Sequence, residues 1–185
     1  MVEKNINFMK DISIVIVNYK MKDVLVACLR SLYRDIADSP LDVSVVVVDN
    51  NSEDGLREVL LREFPKALCV ELDNNPGFGA AQNCGMAATE ATYYFALNPD
   101  TDFSSDTNIV DRLYAFMEEH PKIGMIGPKI QYPDGTLQYS CWRFPTFFQP
   151  LFSRTSLGKK GRGQRYAARY FMKEFDHGST IPVDA

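Results

Sequence analysis

Apolar residues arrive along this chain in two alternating rhythms, short β-branched runs and longer stretches with a helical period. Residues 12–17 read Ile-Ser-Ile-Val-Ile-Val between polar neighbours, a strand by length and composition. From 22 to 34, Val24, Leu25, Cys28, Leu29 and Leu32 recur every three to four residues and predict an amphipathic helix. Pro40 marks a turn. Residues 43–48 predict a second strand, apolar enough for burial on both faces as in a parallel sheet. Asn51-Ser52-Glu53-Asp54-Gly55 opens a helix predicted over 56–64, and 67–72 predict a third strand. A glycine-rich turn at 74–79 leads into a helix through Ala88. A fourth strand, buried by its apolar and aromatic composition, is predicted at 93–97, a helix at 107–120 and a fifth strand at 123–126. The rhythm then breaks, and residues 131–137 predict a hairpin turning at Asp134-Gly135. Strand and helix alternate through residue 126, so the fold class is α/β. The sheet should be doubly wound and mostly parallel, with right-handed crossovers.

Composition sets outer limits. The 185 residues fit one domain able to bury a core, with ordinary hydrophobic (45%) and charged (24%) fractions. No apolar run approaches the ~20 residues that span a bilayer. The first ten residues lack an apolar stretch of the secretory kind. Cys28, Cys69, Cys84 and Cys141 have no metal-like spacing; three lie in apolar patterns and predict buried thiols in a reducing compartment. The expected location is cytoplasmic. Net charge −4 hides an asymmetry, because residues 138–173 contain no Asp or Glu. That stretch interleaves Arg143, Arg154, Lys159, Lys160, Arg162, Arg165, Arg169 and Lys173 with aromatic residues. It suits a diphosphate or anionic lipid headgroups, or else forms a basic loop around 158–163. No nucleic-acid-binding motif accompanies the charge.

The candidate chemistry lies at predicted strand ends. Asn18-Tyr19 follows the first strand, Asp49-Asn50-Asn51-Ser52 the second, and Asn98-Pro99-Asp100-Thr101-Asp102 the fourth. In a parallel sheet those ends share one edge, so the three clusters converge on one crevice. Asp100 and Asp102 offer hard carboxylate oxygens two residues apart, suited to Mg²⁺ or Mn²⁺ shared with a diphosphate. Each cluster also reads as turn chemistry or a helix cap, since Ser, Asp and Asn serve both. The turn Asn74-Asn75-Pro76-Gly77-Phe78-Gly79 fails the dinucleotide pattern, because Gln82 stands where its third glycine belongs. What remains is a glycine turn at a helix N-terminus, able to approach an anion or merely permitting positive φ.

Taken in order, Val17-Asn18-Tyr19, Val48-Asp49-Asn50-Asn51-Ser52, Asn75-Pro76-Gly77-Phe78-Gly79 with Ala81, Asn83 and Gly85, Leu97-Asn98-Pro99-Asp100, Gly127-Pro128-Lys129, Pro133-Asp134-Gly135 and Arg143-Phe144-Pro145-Thr146 form one series. That series resembles family 2 glycosyltransferases, particularly the rhamnosyltransferase-like branch that builds bacterial surface polysaccharides. The resemblance covers residues 12–146. It implies a GT-A fold, a Rossmann-like nucleotide half (residues 1–130) joined to the start of an acceptor-side region (131–185). A nucleotide-sugar, UDP- or dTDP-linked, and a divalent metal are the implied ligands.

The resemblance assigns Asn18 and Tyr19 to the border of base and ribose, with Val17 beside them. It makes Asp49 the acceptor for a pyrimidine N–H, with Ser52 and Asp54 shaping that pocket and Asn51 among the donor-binding residues. Asn75, Gly77, Phe78, Gly79 and Asn83 would line the nucleoside and diphosphate. Asp100 matches the second aspartate of the D-x-D signature, Asn98 stands where the first is usual, Pro99 lies between, and Asp102 follows as a further ligand. The general base is expected beyond residue 185, since Glu174, Asp176, Asp184, His120 and His177 match no family base. The fold is thus expected to be C-terminally incomplete. The chain should bind donor but transfer sugar poorly, and should self-associate through Trp142, Phe144, Phe147 and Phe148. Expected partners are a nucleotide-sugar, a saccharide or lipid-linked acceptor, the inner membrane face and a second copy of the chain. The competing readings are a nucleotide-sugar-binding module or split-enzyme subunit without its own catalysis, and a sugar nucleotidyltransferase. The latter wants a glycine-rich loop after the first strand, where Asn18-Tyr19-Lys20-Met21 has none.

Overall fold

The computed structural model describes residues 9–103, 108–140, 143, 161–170, 172 and 175–176; for 161–163, 166 and 167 it describes the backbone alone. Two compact units result, Met1–Gly124 and Met125–Ala185.

The first unit runs β1 (Lys10–Asn18), α1 (Lys22–Asp35), β2 (Val43–Asp49), α2 (Leu56–Glu63), β3 (Leu68–Glu71), α3 (Phe78–Ala87), β4 (Ala91–Leu97) and α4 (Ile109–Glu119). The strands order β3-β2-β1-β4, and every neighbouring pair is parallel. The chain therefore winds outward from β1 in both directions, and the strand order reverses between β1 and β4. Such a reversal at the carboxyl edge of the sheet is the position where α/β folds bind ligands.

Alternation along β1 sorts its side chains into two layers. Ile12, Ile14 and Ile16 join Leu25, Leu29 and Leu32 of α1 and Leu56 and Leu60 of α2 in one buried cluster. Val15 and Val17 join Val46, Val48 and Ala81 in another, under α3. The predicted period of α1 is thus its packing face at Leu25, Cys28, Leu29 and Leu32, but Val24 is 42% exposed and Val26 is buried in its stead. Gly85 of α3 lies against the second layer, where an added Cβ would sit 2.3 Å from Val15 Cγ1.

Helix α4 has no side-chain cap of its own, and Asn108 before it is left-handed at φ 59°. Its cap comes from the end of α1. Buried Asp35 accepts from Ile109 N at 2.9 Å through Oδ1 and from Val110 N at 3.0 Å through Oδ2. A carboxylate at a helix N-terminus satisfies two orphan donors and suits the helix dipole. Asp35→Ala should lower stability by about 1–3 kcal/mol, as expected when a buried charged acceptor leaves two N–H groups unpaired. Calorimetric melting checks this, and Asp35→Asn, which keeps one acceptor, should recover part of the loss.

Four expectations need correction. Residues 123–126 form no strand: the backbone from 123 to 129 is irregular and Met125 is 77% exposed. Gly124 and the pair Gly127-Pro128 interrupt the run, and both residue types weaken a strand. Strand β4 is buried on one face only. Tyr93, Phe95 and Leu97 pack into the first layer, while Thr92, Tyr94 and Ala96 are exposed. Cys84 is exposed rather than buried, whereas Cys28 is buried and Cys69 is half-buried. The fourth correction lies in the second unit, where α5 (Gly161–Tyr170) begins inside the segment for which a loop was the alternative. Gly161 and Gly163 weaken its first turn, but Gln164-Arg165-Tyr166-Ala167-Ala168-Arg169 has adequate helix propensity.

The second unit also contains the expected hairpin, β5 (Ile130–Gln131) paired antiparallel with β6 (Leu137–Gln138). Gly135 supplies a left-handed residue at φ 81°, and Asp134 Oδ1 accepts from Thr136 N at 2.9 Å and Thr136 Oγ1 at 2.6 Å. Those bonds, the hydroxyl first, hold the Asp134 carboxyl below its usual range. Trp142, Phe144, Phe147, Phe148, Glu174, His177 and Asp184, together with the chain from 177 onward, lie outside the described residues.

Candidate nucleotide-sugar site

Asn18 ends β1, Asp49 ends β2, and the two are register partners at the carboxyl edge. Asn18 is fully buried, so its amide must be paired within the protein. Its Nδ2 donates to Ser52 Oγ at 2.9 Å and Asp49 Oδ1 at 3.1 Å, and its Oδ1 accepts from Met21 N at 3.2 Å. Ser52 Oγ also accepts from Lys20 N at 3.0 Å, and Ser52 N donates to Asp49 Oδ2 at 3.4 Å. Both oxygens of half-buried Asp49 are thereby oriented, with lone pairs remaining for a further donor. The loops that carry this network hold left-handed residues without being glycine: Lys20 (φ 57°), Asn51 (φ 62°) and Glu53 (φ 55°). Clustered backbone strain of this kind is characteristic of ligand clamps. Asn18, Val17 and Ser52 are therefore buried scaffold of the edge, while Tyr19 is exposed with Lys20 Nζ 5.4 Å over its ring.

The glycine turn lies beyond β3. Asn75 Oδ1 accepts from Gly77 N at 2.9 Å and from Asn50 Nδ2 at 2.8 Å. Gly77 adopts φ 93° and ψ 165°, a conformation restricted to glycine. No side chain caps α3, so its first-turn N–H groups keep no side-chain acceptor. Phe78, Gly79 and Asn83 are exposed here, and nothing lies within 4 Å of where a Cβ on Gly79 would be. The backbone of this helix start is open to close approach by an anion.

At the end of β4, the pairing of Ile16 with Leu97 sets Asn98 beside the end of β1. Thr101 N donates to Asn98 O at 3.3 Å, closing a turn that carries Pro99 and Asp100. Asn98, Asp100 and Asp102 are exposed, and among the described residues no group of three or more His, Cys, Asp or Glu could by itself hold a metal. Two exposed carboxylates on one short turn fit Mg²⁺ or Mn²⁺ held jointly with a ligand's phosphates, since such ions usually retain few protein ligands. The neighbouring Cys28 thiol is no competitor. Burial pushes it up to about 12, and the charges of Asp100 and Asp102 add to that rise, so it stays protonated.

A cavity of about 1030 Å³ runs along α1 and the end of α2 and meets this edge only at Asp100, Thr101 and Asp102. Asn18, Asp49, Ser52, Asn75 and Gly77 do not line it. The polar chemistry marks the strand ends as the candidate site. Sequence reasoning gave Asn50 no role, because the partner that gives it one, Asn75, is 25 residues away.

The family model described as glycosyl transferase family 2 matches residues 13–173, most of the chain. The chain belongs to that family. An N-acetylglucosaminyl-diphospho-decaprenol L-rhamnosyltransferase of Mycobacterium tuberculosis (strain ATCC 25618 / H37Rv) is 27% identical over 118 residues, 58% of this chain. The succinoglycan biosynthesis protein ExoO of Rhizobium meliloti (strain 1021) is 30% identical over 115 residues, 62% of this chain. The match spans only 38% of the first relative's length and 31% of the second's. Among solved structures, S. aureus TarS superposes on 60% of this chain and 20% of its own at a TM-score of 0.52 and 22% identity. That likeness bears on the fold alone, and it agrees with the α/β, mostly parallel architecture expected of a family 2 member. Among the described residues, no helix of the family 2 chain is long and apolar enough to cross a membrane.

Proposed function

We propose that the carboxyl edge of this sheet binds a pyrimidine nucleotide-sugar, and that the chain serves transfer of its sugar to a saccharide or lipid-linked acceptor in cell-surface polysaccharide synthesis. The observation that carries the reading is Asp49, a carboxylate at the end of β2 with both oxygens oriented by Asn18 and Ser52. A uracil or thymine ring presents an N–H that such a carboxylate accepts, and a purine does not present that donor in the same place. The uncapped start of α3 would face the diphosphate, and exposed Tyr19 and half-buried Asn51 would border the nucleoside. Asp100 and Asp102 would hold the divalent ion, which when bound supplies Lewis-acid stabilisation of the leaving diphosphate.

The proposed reaction is one displacement with inversion. The acceptor oxygen bonds to the anomeric carbon, the bond from that carbon to the diphosphate oxygen breaks, and the hydroxyl proton passes to a base within ~3 Å. No described residue is assigned as that base. The lipid-linked acceptor is suggested by the name of the mycobacterial relative, a transferase acting on a diphospho-decaprenol-linked sugar. An acceptor of that kind would bring the chain to a membrane surface, where the basic run of residues 138–173 suits anionic headgroups.

Calorimetry with UDP, dTDP, ADP and GDP in the presence of Mn²⁺ tests the site. The parent should prefer pyrimidine diphosphates, and Asp49→Ala should weaken them by about 1–3 kcal/mol, the range for a hydrogen bond to a charged group. Purine binding should change less. A parent without pyrimidine preference sinks this reading of Asp49, and equal loss of all four ligands marks a folding defect instead.

A further inference from the structure

Asn50 carries side-chain chemistry that the fold itself does not need. The residue is 3% exposed, its Nδ2 donates to Asn75 Oδ1 at 2.8 Å, and its Oδ1 is buried without a hydrogen-bond partner. The orientation of this amide is forced. Asn75 Oδ1 already accepts the Gly77 N–H at 2.9 Å, so Asn75 turns an acceptor toward Asn50 and only the Asn50 NH₂ can meet it. Turning Asn50 over would set two carbonyl oxygens against each other. The stranded Oδ1 follows from that constraint, and a buried acceptor left alone costs about as much as one hydrogen bond returns. For stability, leucine of nearly the same shape would serve as well.

What the amide does accomplish is a connection. The Asn50 backbone N–H donates to Asn18 O at 2.9 Å, which fixes the residue to the edge that carries Asp49. Its side chain then reaches the turn at 74–77, and among the described residues no other side-chain hydrogen bond joins the 49–55 loop to that turn. We propose that Asn50 is a positioning residue for the donor's diphosphate, acting through Asn75 to hold the Gly77 turn and the start of α3 in register with the base-reading carboxylate. The inference rests on the donor-site reading above. Asn50 need not touch the ligand. It sets the distance between the two parts of the edge that would.

The test compares Asn50→Leu, Asn75→Ala and the double variant with the parent. Each is measured by thermal melting, by calorimetry with UDP and with uridine in Mn²⁺, and by hydrogen exchange of the Gly77 amide in the ligand-free protein. Asn50→Leu should melt within a few degrees of the parent and lose roughly tenfold or more in UDP affinity, as for one misplaced hydrogen bond to a charged group. Uridine affinity should stay within about twofold, since Asp49 is untouched, and Gly77 exchange should speed up. The double variant should bind UDP no worse than Asn75→Ala alone, because both changes cut the same link. Equal loss of UDP and uridine, or additive losses in the double variant, would overturn the positioning role. So would unchanged UDP binding by Asn50→Leu. A parent that binds no nucleoside diphosphate would instead bring down the donor-site reading and this inference with it, a result distinct from any of the others.

Discussion

Replacing Gly85 with alanine should cost more stability than any other single methyl added to the sheet-facing side of α3. The new Cβ would lie 2.3 Å from Val15 Cγ1 and 2.7 Å from Val48 Cγ2, both well inside contact distance. Neither valine can move aside cheaply. Both are fully buried in the middle strands of the sheet, and β-branched side chains have little rotamer freedom. The helix must therefore lift. Overpacking of this kind typically costs 1–3 kcal/mol, and two rigid partners put this case near ~3 kcal/mol. In a chain of this length that corresponds to a fall of roughly 10 °C in melting temperature. The start of α3 would move with the helix, so nucleotide binding should fall too. Gly79→Ala is the control, because its Cβ would meet nothing within 4 Å and alanine is the better helix former. It should melt at or above the parent's temperature. A Gly85→Ala protein that melts like the parent would mean that α3 does not pack on β1 and β2 as described.

How much of this was readable beforehand depends on where each signal sits. The runs at 12–17 and 43–48 were legible as strands because strands buried on both faces carry short, nearly continuous apolar runs. The period of α1 was legible because its partners, Ile14 and Ile16 among them, demand one continuous stripe. Strand β4 misled by composition. Tyr94 is aromatic and reads as core, yet it is 42% exposed on the face that α3 leaves uncovered. Helix α5 was hidden by glycines that lower propensity at its start.

At the site, the meeting of strand ends followed from one topological rule. The division of labour among the residues did not. Asn18 reads as a ligand contact in sequence, and its role as buried scaffold depends on Ser52, 34 residues away. The Asp35 cap on α4 spans 74 residues and leaves no local mark. Short-range chemistry can be read from a string. Hydrogen bonds between distant loops require the fold.

Asp100→Ala should abolish most of the metal-dependent part of UDP binding while leaving the fold unchanged. The stability side follows from exposure. Among the described residues Asp100 makes no hydrogen bond or ion pair and its side chain is open to solvent, so removing it should shift stability by no more than ~0.5 kcal/mol. The binding side follows from the small number of protein ligands. If two carboxylates on one turn share the ion with the diphosphate, removing one halves the protein's charge at the metal. Loss of a mere outer-shell partner commonly costs 10–100-fold in metal affinity, so loss of a direct ligand should cost at least ~100-fold. Asp102→Ala should have a similar or smaller effect, since it extends the core signature. Calorimetric titration of UDP with and without Mn²⁺ separates the outcomes. The parent should bind UDP much more tightly with the ion, and the Asp100→Ala protein should bind it equally in both conditions, near the parent's metal-free affinity. A variant that keeps the Mn²⁺ enhancement would place the ion on other residues and remove Asp100 from the metal role.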